Sequence, residues 1–275
     1  MFLLNGKAGH CVDVLDRGFQ YGDGLFETLE VLKSTPLFLE QHLARLAEGC
    51  RKLLIPPPDA SQLTAEAFKL CENVDKAVLK IIVTRGIGGR GYRQPESISP
   101  TRLLSLHPHP EYPDSFQTDG IVARFCQQRL SSSENLAGIK HLNRLEQVLA
   151  RAEWQDNAIQ EGLMLDNVGH VIEGTMSNLF FVRDEILHTP CLLKGGVKGI
   201  LRKMVIDFAQ LNNIRLVEKQ FDNSEVLAAD EMFVTNSVIG IWPVKQLDQQ
   251  CFAIGAMTRN MQQWYAQARF NETSL

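Results

Sequence analysis

The sequence predicts a mixed α+β chain folded as two domains. Three observations lead there. At 275 residues the chain is about twice the length of an average domain. Runs of strand type and helical stripes are interspersed without strict alternation, which argues against a doubly wound sheet. The composition, 44% hydrophobic and 22% charged, is that of a folded globular chain with enough apolar residues for a core in each domain. Residues 1–115 are expected to form an N-terminal α/β domain, 116–130 a connector and 131–275 a C-terminal α/β domain.

The elements follow in order. Residues 2–5, Gly6 and a short apolar run to Val14 predict a strand hairpin. Residues 25–32 alternate and suit a strand, and Lys33-Ser34-Thr35-Pro36 turns the chain into 37–39. Leu39, Leu43, Leu46, Cys50 and Leu53-Leu54 make one amphipathic stripe, a helix stopped by Pro56-Pro57-Pro58. A second helix over 61–71 takes Ser61 as its N-cap. Strands are expected at 77–84 and 101–106. Three prolines make 107–116 a connecting stretch, and strand character resumes at 120–126. A helical pattern runs from 143 to about 156. Residues 163–166 and 170–173 pair as a hairpin around Asn167-Val168-Gly169. A strand at 179–183, a helix at 198–211, strands at 215–218, 231–235 and 238–244, and a helix at 256–268 complete the chain.

Composition also excludes several classes of function. With 28 basic and 32 acidic residues the net charge is −4, so no basic footprint for nucleic acid is present and no polybasic run suggests a lipid surface. The apolar stretch 77–83, interrupted by Lys80, is far too short to span a bilayer. The N-terminus lacks the basic region and long apolar run of a secretion signal. Cys11, Cys50, Cys71, Cys126, Cys191 and Cys251 are scattered with no CxxC pair, and read as reduced packing residues of a cytoplasmic protein. No metal is expected. His107-Pro108-His109 offers two ligands in a proline-rich stretch with no third nearby.

Gly86-Ile87-Gly88-Gly89-Arg90-Gly91 matches the dinucleotide-binding GxGxxG pattern after a strand. That fingerprint needs a helix to begin within its glycines, so that free N–H groups hold the pyrophosphate. Tyr92-Arg93-Gln94-Pro95 and Pro100 follow instead, with no helical period. The stretch reads as a flexible cationic loop carrying Arg85, Arg90 and Arg93, suited to an anionic small molecule or else a solvated turn.

Four places hold polar residues that a plain fold does not require. The first is Asp16-Arg17-Gly18-Phe19-Gln20-Tyr21-Gly22-Asp23-Gly24-Leu25-Phe26-Glu27-Thr28, either a turn-rich connection or a loop shaped around a ligand or partner. His42 and Arg45 share a helix face, as a solvated edge or as part of a site. In Gly138-Ile139-Lys140-His141 the lysine, taken alone, reads as a solvated loop residue, but its small and apolar neighbours can desolvate it into an amine nucleophile. Glu173 ends an apolar strand before Gly174-Thr175-Met176-Ser177-Asn178, as a solvated strand end or a carboxylate in a pocket. Gly195-Gly196-Val197-Lys198-Gly199-Ile200 then enters a helix whose first N–H groups favour an anion, and Thr235-Asn236-Ser237 adds hydroxyl and amide donors. A nucleophilic lysine, an acid and an anion cradle together are what pyridoxal 5′-phosphate (PLP) requires.

The order of these motifs resembles the fold-type IV PLP enzymes, the family of branched-chain and D-amino-acid aminotransferases and aminodeoxychorismate lyases. The matching residues run from Asp16 to about position 237. Phe2-Leu3-Leu4-Asn5-Gly6, Arg85-Gly86-Ile87-Gly88-Gly89-Arg90-Gly91-Tyr92 and Gly138-Ile139-Lys140-His141-Leu142-Asn143-Arg144-Leu145-Glu146-Gln147-Val148-Leu149 are most similar to the lyase branch. The resemblance implies a two-domain fold with PLP between the domains, in a cytoplasmic homodimer whose loops complete each other's pocket. It gives Lys140 the coenzyme's aldehyde and the acid–base step, and Glu173 the ring nitrogen. Arg45, the N–H groups of Gly199 and Ile200, and Thr235 or Asn236 take the phosphate. In the same way it implies a lyase that converts 4-amino-4-deoxychorismate to 4-aminobenzoate and pyruvate for folate synthesis. Thr28 would then sit near the leaving oxygen, and Arg90 or Arg93, with Tyr92, at the substrate. The alternative is an aminotransferase for D- or branched-chain amino acids on the same scaffold.

Overall fold

The computed structural model describes residues 1–274. The chain divides into two compact units. One comprises Met1–Pro110, Ile139–Asn143 and the residues from Arg269 onward, and the other Glu111–Gly138 and Arg144–Ala268.

The first unit holds β1 (Phe2–Leu4), β2 (Lys7–Ala8), α1 (Arg17–Tyr21), β3 (Gly24–Leu32), β4 (Thr35–Pro36), α2 (Leu39–Lys52), α3 (Ala60–Cys71), β5 (Lys76–Thr84) and β6 (Thr101–Pro108). Its six strands form one antiparallel sheet in the order β2-β1-β6-β5-β3-β4. The alternation of β3 sends Leu25, Leu29 and Val31 into a core with Leu43, Leu46 and Cys50 of α2, Leu63, Ala67 and Leu70 of α3, and Leu79, Ile81 and Val83 of β5. Each such leucine contributes about 2 kcal/mol by leaving water. The apolar stripe is thus the face that α2 buries, although the helix ends at Lys52, before the prolines. The cap of α3 is Asp59, not Ser61: its carboxylate accepts from the Gln62 amide at 2.9 Å, and Ser61 lies inside the first turn. The helix α1 was not foreseen. Five residues are too few for a periodic pattern, and it stands on its caps, Asp16 accepting from the Gly18 amide and Gly22 in the left-handed region at φ 65°.

The second unit holds α4 (Ser115–Thr118), β7 (Ile121–Leu130), α5 (Leu145–Arg151), β8 (Glu161–Asp166), β9 (Val171–Gly174), β10 (Asn178–Arg183), β11 (Ile186–Pro190), α6 (Ile200–Leu211), β12 (Leu216–Lys219), α7 (Asn223–Leu227), β13 (Glu231–Asn236), β14 (Gly240–Leu247), β15 (Gln250–Cys251) and α8 (Ala256–Glu272), whose last turn belongs to the first unit. Eight strands run β12-β11-β10-β13-β14-β7-β8-β9, with β15 paired to β14. The pairs β11/β12, β14/β7 and β7/β8 are parallel. Most of the stretch expected as a connector, 116–130, is therefore a strand hydrogen-bonded on both sides. The charges of Arg124 and Arg129 mask the buried Ile121, Ala123 and Cys126. The β8–β9 hairpin has the foreseen turn, with Gly169 at φ 97° and Met164 opposite Glu173.

All six cysteines are free. Cys50, Cys71 and Cys126 are buried in cores, whereas Cys11 and Cys251 are exposed and do not serve packing. Among the described residues no helix is long and apolar enough to cross a membrane.

Candidate active site

In the first unit, β3 gathers the predicted residues on its two faces. Between Glu111 and Ala268 the chain returns to this unit for five residues, Ile139–Asn143. These residues lie along the start of β3: the Phe26 amide donates to the Lys140 carbonyl at 3.0 Å and the Leu142 amide to the Gly24 carbonyl at 2.9 Å. A Cβ at Gly24 would stand 2.4 Å from the Val83 carbonyl oxygen and 2.9 Å from Leu142, so glycine permits this close crossing. Lys140 is half-buried, and its Nζ stands 4.4 Å from the centroid of the Phe26 ring. Thr28 follows on the same face of β3, half-buried and in register with Lys80, whose Nζ is 5.4 Å from the same ring.

The opposite face of β3 carries Glu27, which the sequence left without a role. It is 1% exposed and holds both predicted residues of α2, His42 and Arg45. Arg45 donates to Oε1 from Nε at 2.9 Å and to Oε2 from Nη2 at 2.5 Å, and His42 Nδ1 lies 2.6 Å from Oε2. Burial alone would raise the Glu27 carboxyl, but the Arg45 and His42 charges and hydrogen bonds outweigh it and hold the group at about 2. Burial lowers His42 in turn, with Glu27 opposing and the charges of Arg45 and Lys140 adding to the fall. The pair that could have been a solvated edge is a buried network orienting Arg45.

The glycine loop differs from its expectation. Arg85 is not available to an anionic ligand: it is 3% exposed, pairs with both oxygens of Asp23 and donates to the carbonyls of Leu53 and Leu54. The loop is pinned from beneath, because Arg17 donates to the Gly91 carbonyl at 2.9 Å and to those of Gly88 and Arg93 at 3.4 Å. Gly86 at φ 86° passes so close to Ser99 that a Cβ would meet its carbonyl oxygen at 1.9 Å. Arg90, Tyr92 and Arg93 remain exposed on the loop.

In the second unit Asn178 is the hub of the other predicted residues. It is in register with Thr235 across β10 and β13. Its Nδ2 donates to the Val197 carbonyl at 2.9 Å and reaches Glu173 Oε2 at 3.4 Å, while the Val197 amide donates to that oxygen at 2.7 Å. Gly199, the N-cap of α6, passes so near that a Cβ would sit 2.1 Å from Asn178 Oδ1. Glu173 is 4% exposed, and Arg144 faces it: burial lowers the guanidinium's pKa, and Glu173 and Glu146 oppose. Thr235 is 1% exposed, and among the described residues its Oγ1 has no partner and no side chain caps α6. Asn236 is committed elsewhere: Nδ2 donates to the Met176 carbonyl, and Oδ1 accepts from the amides of Val238 and Ile239.

Sequence reading thus named Lys140, Thr28 and Arg45 in one unit, Glu173, Gly199, Ile200, Thr235 and Asn236 in the other, and missed Glu27 and the linking role of Asn178. The signal for Glu27 was present: an acid at the buried parity of an alternating strand, with two cationic residues on the next helix.

The set defines a class. The model of the class IV amino-transferases matches residues 24–247, and the chain belongs to that family. It is similar to the aminodeoxychorismate lyase of Vibrio harveyi, 35% identical over 95% of this chain and 98% of the relative. Among solved structures it is similar to 4-amino-4-deoxychorismate lyase from Pseudomonas aeruginosa, 45% identical with a TM-score of 0.94, covering 97% of this chain and 98% of that one. A D-alanine aminotransferase from Bacillus licheniformis is 28% identical over 99% of this chain and 98% of its own.

Proposed function

We propose that this chain is a PLP-dependent lyase that splits 4-amino-4-deoxychorismate into 4-aminobenzoate and pyruvate. The observation that carries the reading is a likeness to lyases of that name over nearly the whole chain, together with a lysine at 140 that β3 holds against an aromatic ring.

The residues fit the coenzyme on their own chemistry. Thr235 Oγ1 is a buried hydroxyl without a partner, beside a helix start without a side-chain cap, and both suit a phosphate. Buried Glu173 suits a protonated ring nitrogen. When bound, PLP supplies an aldehyde for an amine and a ring that withdraws electrons from the adjacent carbon.

Lys140 would hold the coenzyme through its amine and would serve as the base that takes the proton from the amine-bearing carbon of the substrate. Glu173 keeps the ring nitrogen cationic, and its own position is fixed by the Val197 amide. The N–H groups of Gly199 and Ile200 and the Thr235 hydroxyl bind the phosphate. Asn236, its side chain spent on loop contacts, positions the β13–β14 turn. Arg45 adds positive charge from the fork that Glu27 sets. Thr28 donates toward the leaving ether oxygen, and Arg90 or Arg93 beside Tyr92 meets a substrate carboxylate. The carbon–oxygen bond breaks as the ring becomes aromatic, and the released enolate takes up one proton on its terminal carbon, equal to the one Lys140 removes, to become pyruvate. Atoms balance without water or an oxidant. The product feeds folate synthesis. Six free cysteines suit the cytoplasm, and the exposed apolar residues of α5 suit a homodimer.

Incubating purified protein with 4-amino-4-deoxychorismate and PLP tests this: 4-aminobenzoate and pyruvate should form in equal amounts. A second reading, an aminotransferase, has support from the D-alanine aminotransferase likeness. It predicts instead that D-alanine or a branched amino acid converts the coenzyme to a stable amine form.

A further inference from the structure

Glu161, the first residue of β8, is a buried carboxylate with no part in the contacts described above for Lys140, Glu27 or Asn178. It is 0% exposed, and among the described residues no Lys, Arg or His lies within ion-pair distance of it. Its oxygens take five donors instead. Oε1 accepts from the amides of Gly162 at 2.8 Å and Thr175 at 3.0 Å and from Thr175 Oγ1 at 2.6 Å, and Oε2 accepts from Ser177 Oγ at 2.6 Å and the Met176 amide at 3.4 Å. Four of the five come from the turn between β9 and β10. A Cβ at Gly174 would lie 2.7 Å from Oε2, so the turn closes directly on the carboxylate.

That turn is flanked by Glu173, one proposed coenzyme contact, and is tied to the segment before α6 that holds others. Glu173 precedes it and Asn178 follows it. Both attach to Val197 before α6, and the Met176 carbonyl in its middle accepts from Asn236. An unpaired buried carboxylate is costly, and it persists only where several donors converge on it. Here the donors are the turn itself, so the anion dictates the turn's shape. The hydroxyls of Thr175 and Ser177 donate to Glu161 and so are not offered to a phosphate.

Resting on the functional reading above, we propose that Glu161 is a positioning residue: it templates residues 174–177, and through them sets Glu173 against the coenzyme's ring nitrogen and the Val197–Gly199 entry of α6 against its phosphate. Glu161→Gln keeps the volume but turns an amide donor toward groups that are donors themselves.

The test uses full-length protein titrated with PLP, with the affinity and the pH profile of the bound coenzyme's visible band as readouts. For Glu161→Gln, PLP should bind about tenfold or more weakly and the band's pH profile should shift, whereas Glu161→Asp, which keeps the charge, should recover part of both. Thr175→Val and Ser177→Ala each remove one hydroxyl donor and should weaken PLP severalfold; they carry the test if Glu161→Gln does not fold. Unchanged affinity and pH profile in these variants, whatever the melting temperature, would overturn the proposal while leaving the lyase reading intact. Wild-type protein that binds no PLP would overturn both.

Discussion

At the scale of single residues, electrostatics in the first unit centres on Glu27. The carboxyl sits at about 2 when folded against an ordinary 4.5, so folding favours its ionised form. That stabilisation is full above pH 4.5 and is lost as pH falls toward 2, a contribution of about 3 kcal/mol. Denaturant titrations of the wild type should therefore show stability falling across that window, and Glu27→Gln should flatten the fall while lowering stability at neutral pH. An unchanged acid limb would remove this account of Glu27. Thr235 makes a sharper case. Its buried hydroxyl lacks a partner, so Thr235→Val should stabilise the coenzyme-free protein by about 1 kcal/mol and weaken PLP binding. Melting curves with and without PLP check both directions. Thr28→Ala should lower kcat, and Arg90→Ala or Arg93→Ala should raise KM. Steady-state kinetics in which none of these moves would clear the three residues of a role.

At the scale of elements, the glycines before α6 decide how the helix start is presented. Gly199 has an ordinary φ of −59°, so space and not strain is what a side chain there would lack. Gly199→Ala must push Asn178 away and with it the contacts to Val197 and Glu173, and PLP should bind about tenfold more weakly. Equal affinity by titration would show that the helix start does not hold the phosphate. The elements also show what the sequence makes legible. Long periodic segments such as α2, and alternating ones such as β3, declare themselves because one face is buried. The helix α1 and the strand β11 do not: the first is held by caps, and the second has His188 and Pro190 in five residues. Lys140, Glu173 and the α6 entry were legible as candidates from residue types and from resemblance. Glu161 was not, because nothing next to it in the chain says that a turn fourteen residues later will donate to it.

At the scale of the whole molecule, the chain alternates between its two units. Lys140 lies on a five-residue excursion into the first unit, whereas Glu173, Gly199 and Thr235 belong to the second. PLP that binds the native chain should stabilise it as a ligand of the native state does, by about 4 kcal/mol at a thousandfold excess over Kd. The surface carries a second expectation. Leu145, Val148 and Leu149 of α5 are 75%, 60% and 56% exposed, as are Phe19 and Tyr92 at 75% and 89% in the first unit. Sedimentation should give twice the chain mass, and Val148→Lys should shift it toward the monomer. The central claim is that the amine at 140 carries the coenzyme. Borohydride reduction of the PLP-loaded protein followed by peptide mapping tests it directly: a single pyridoxyl adduct on Lys140 is predicted, and an adduct on another lysine, or none, would contradict it.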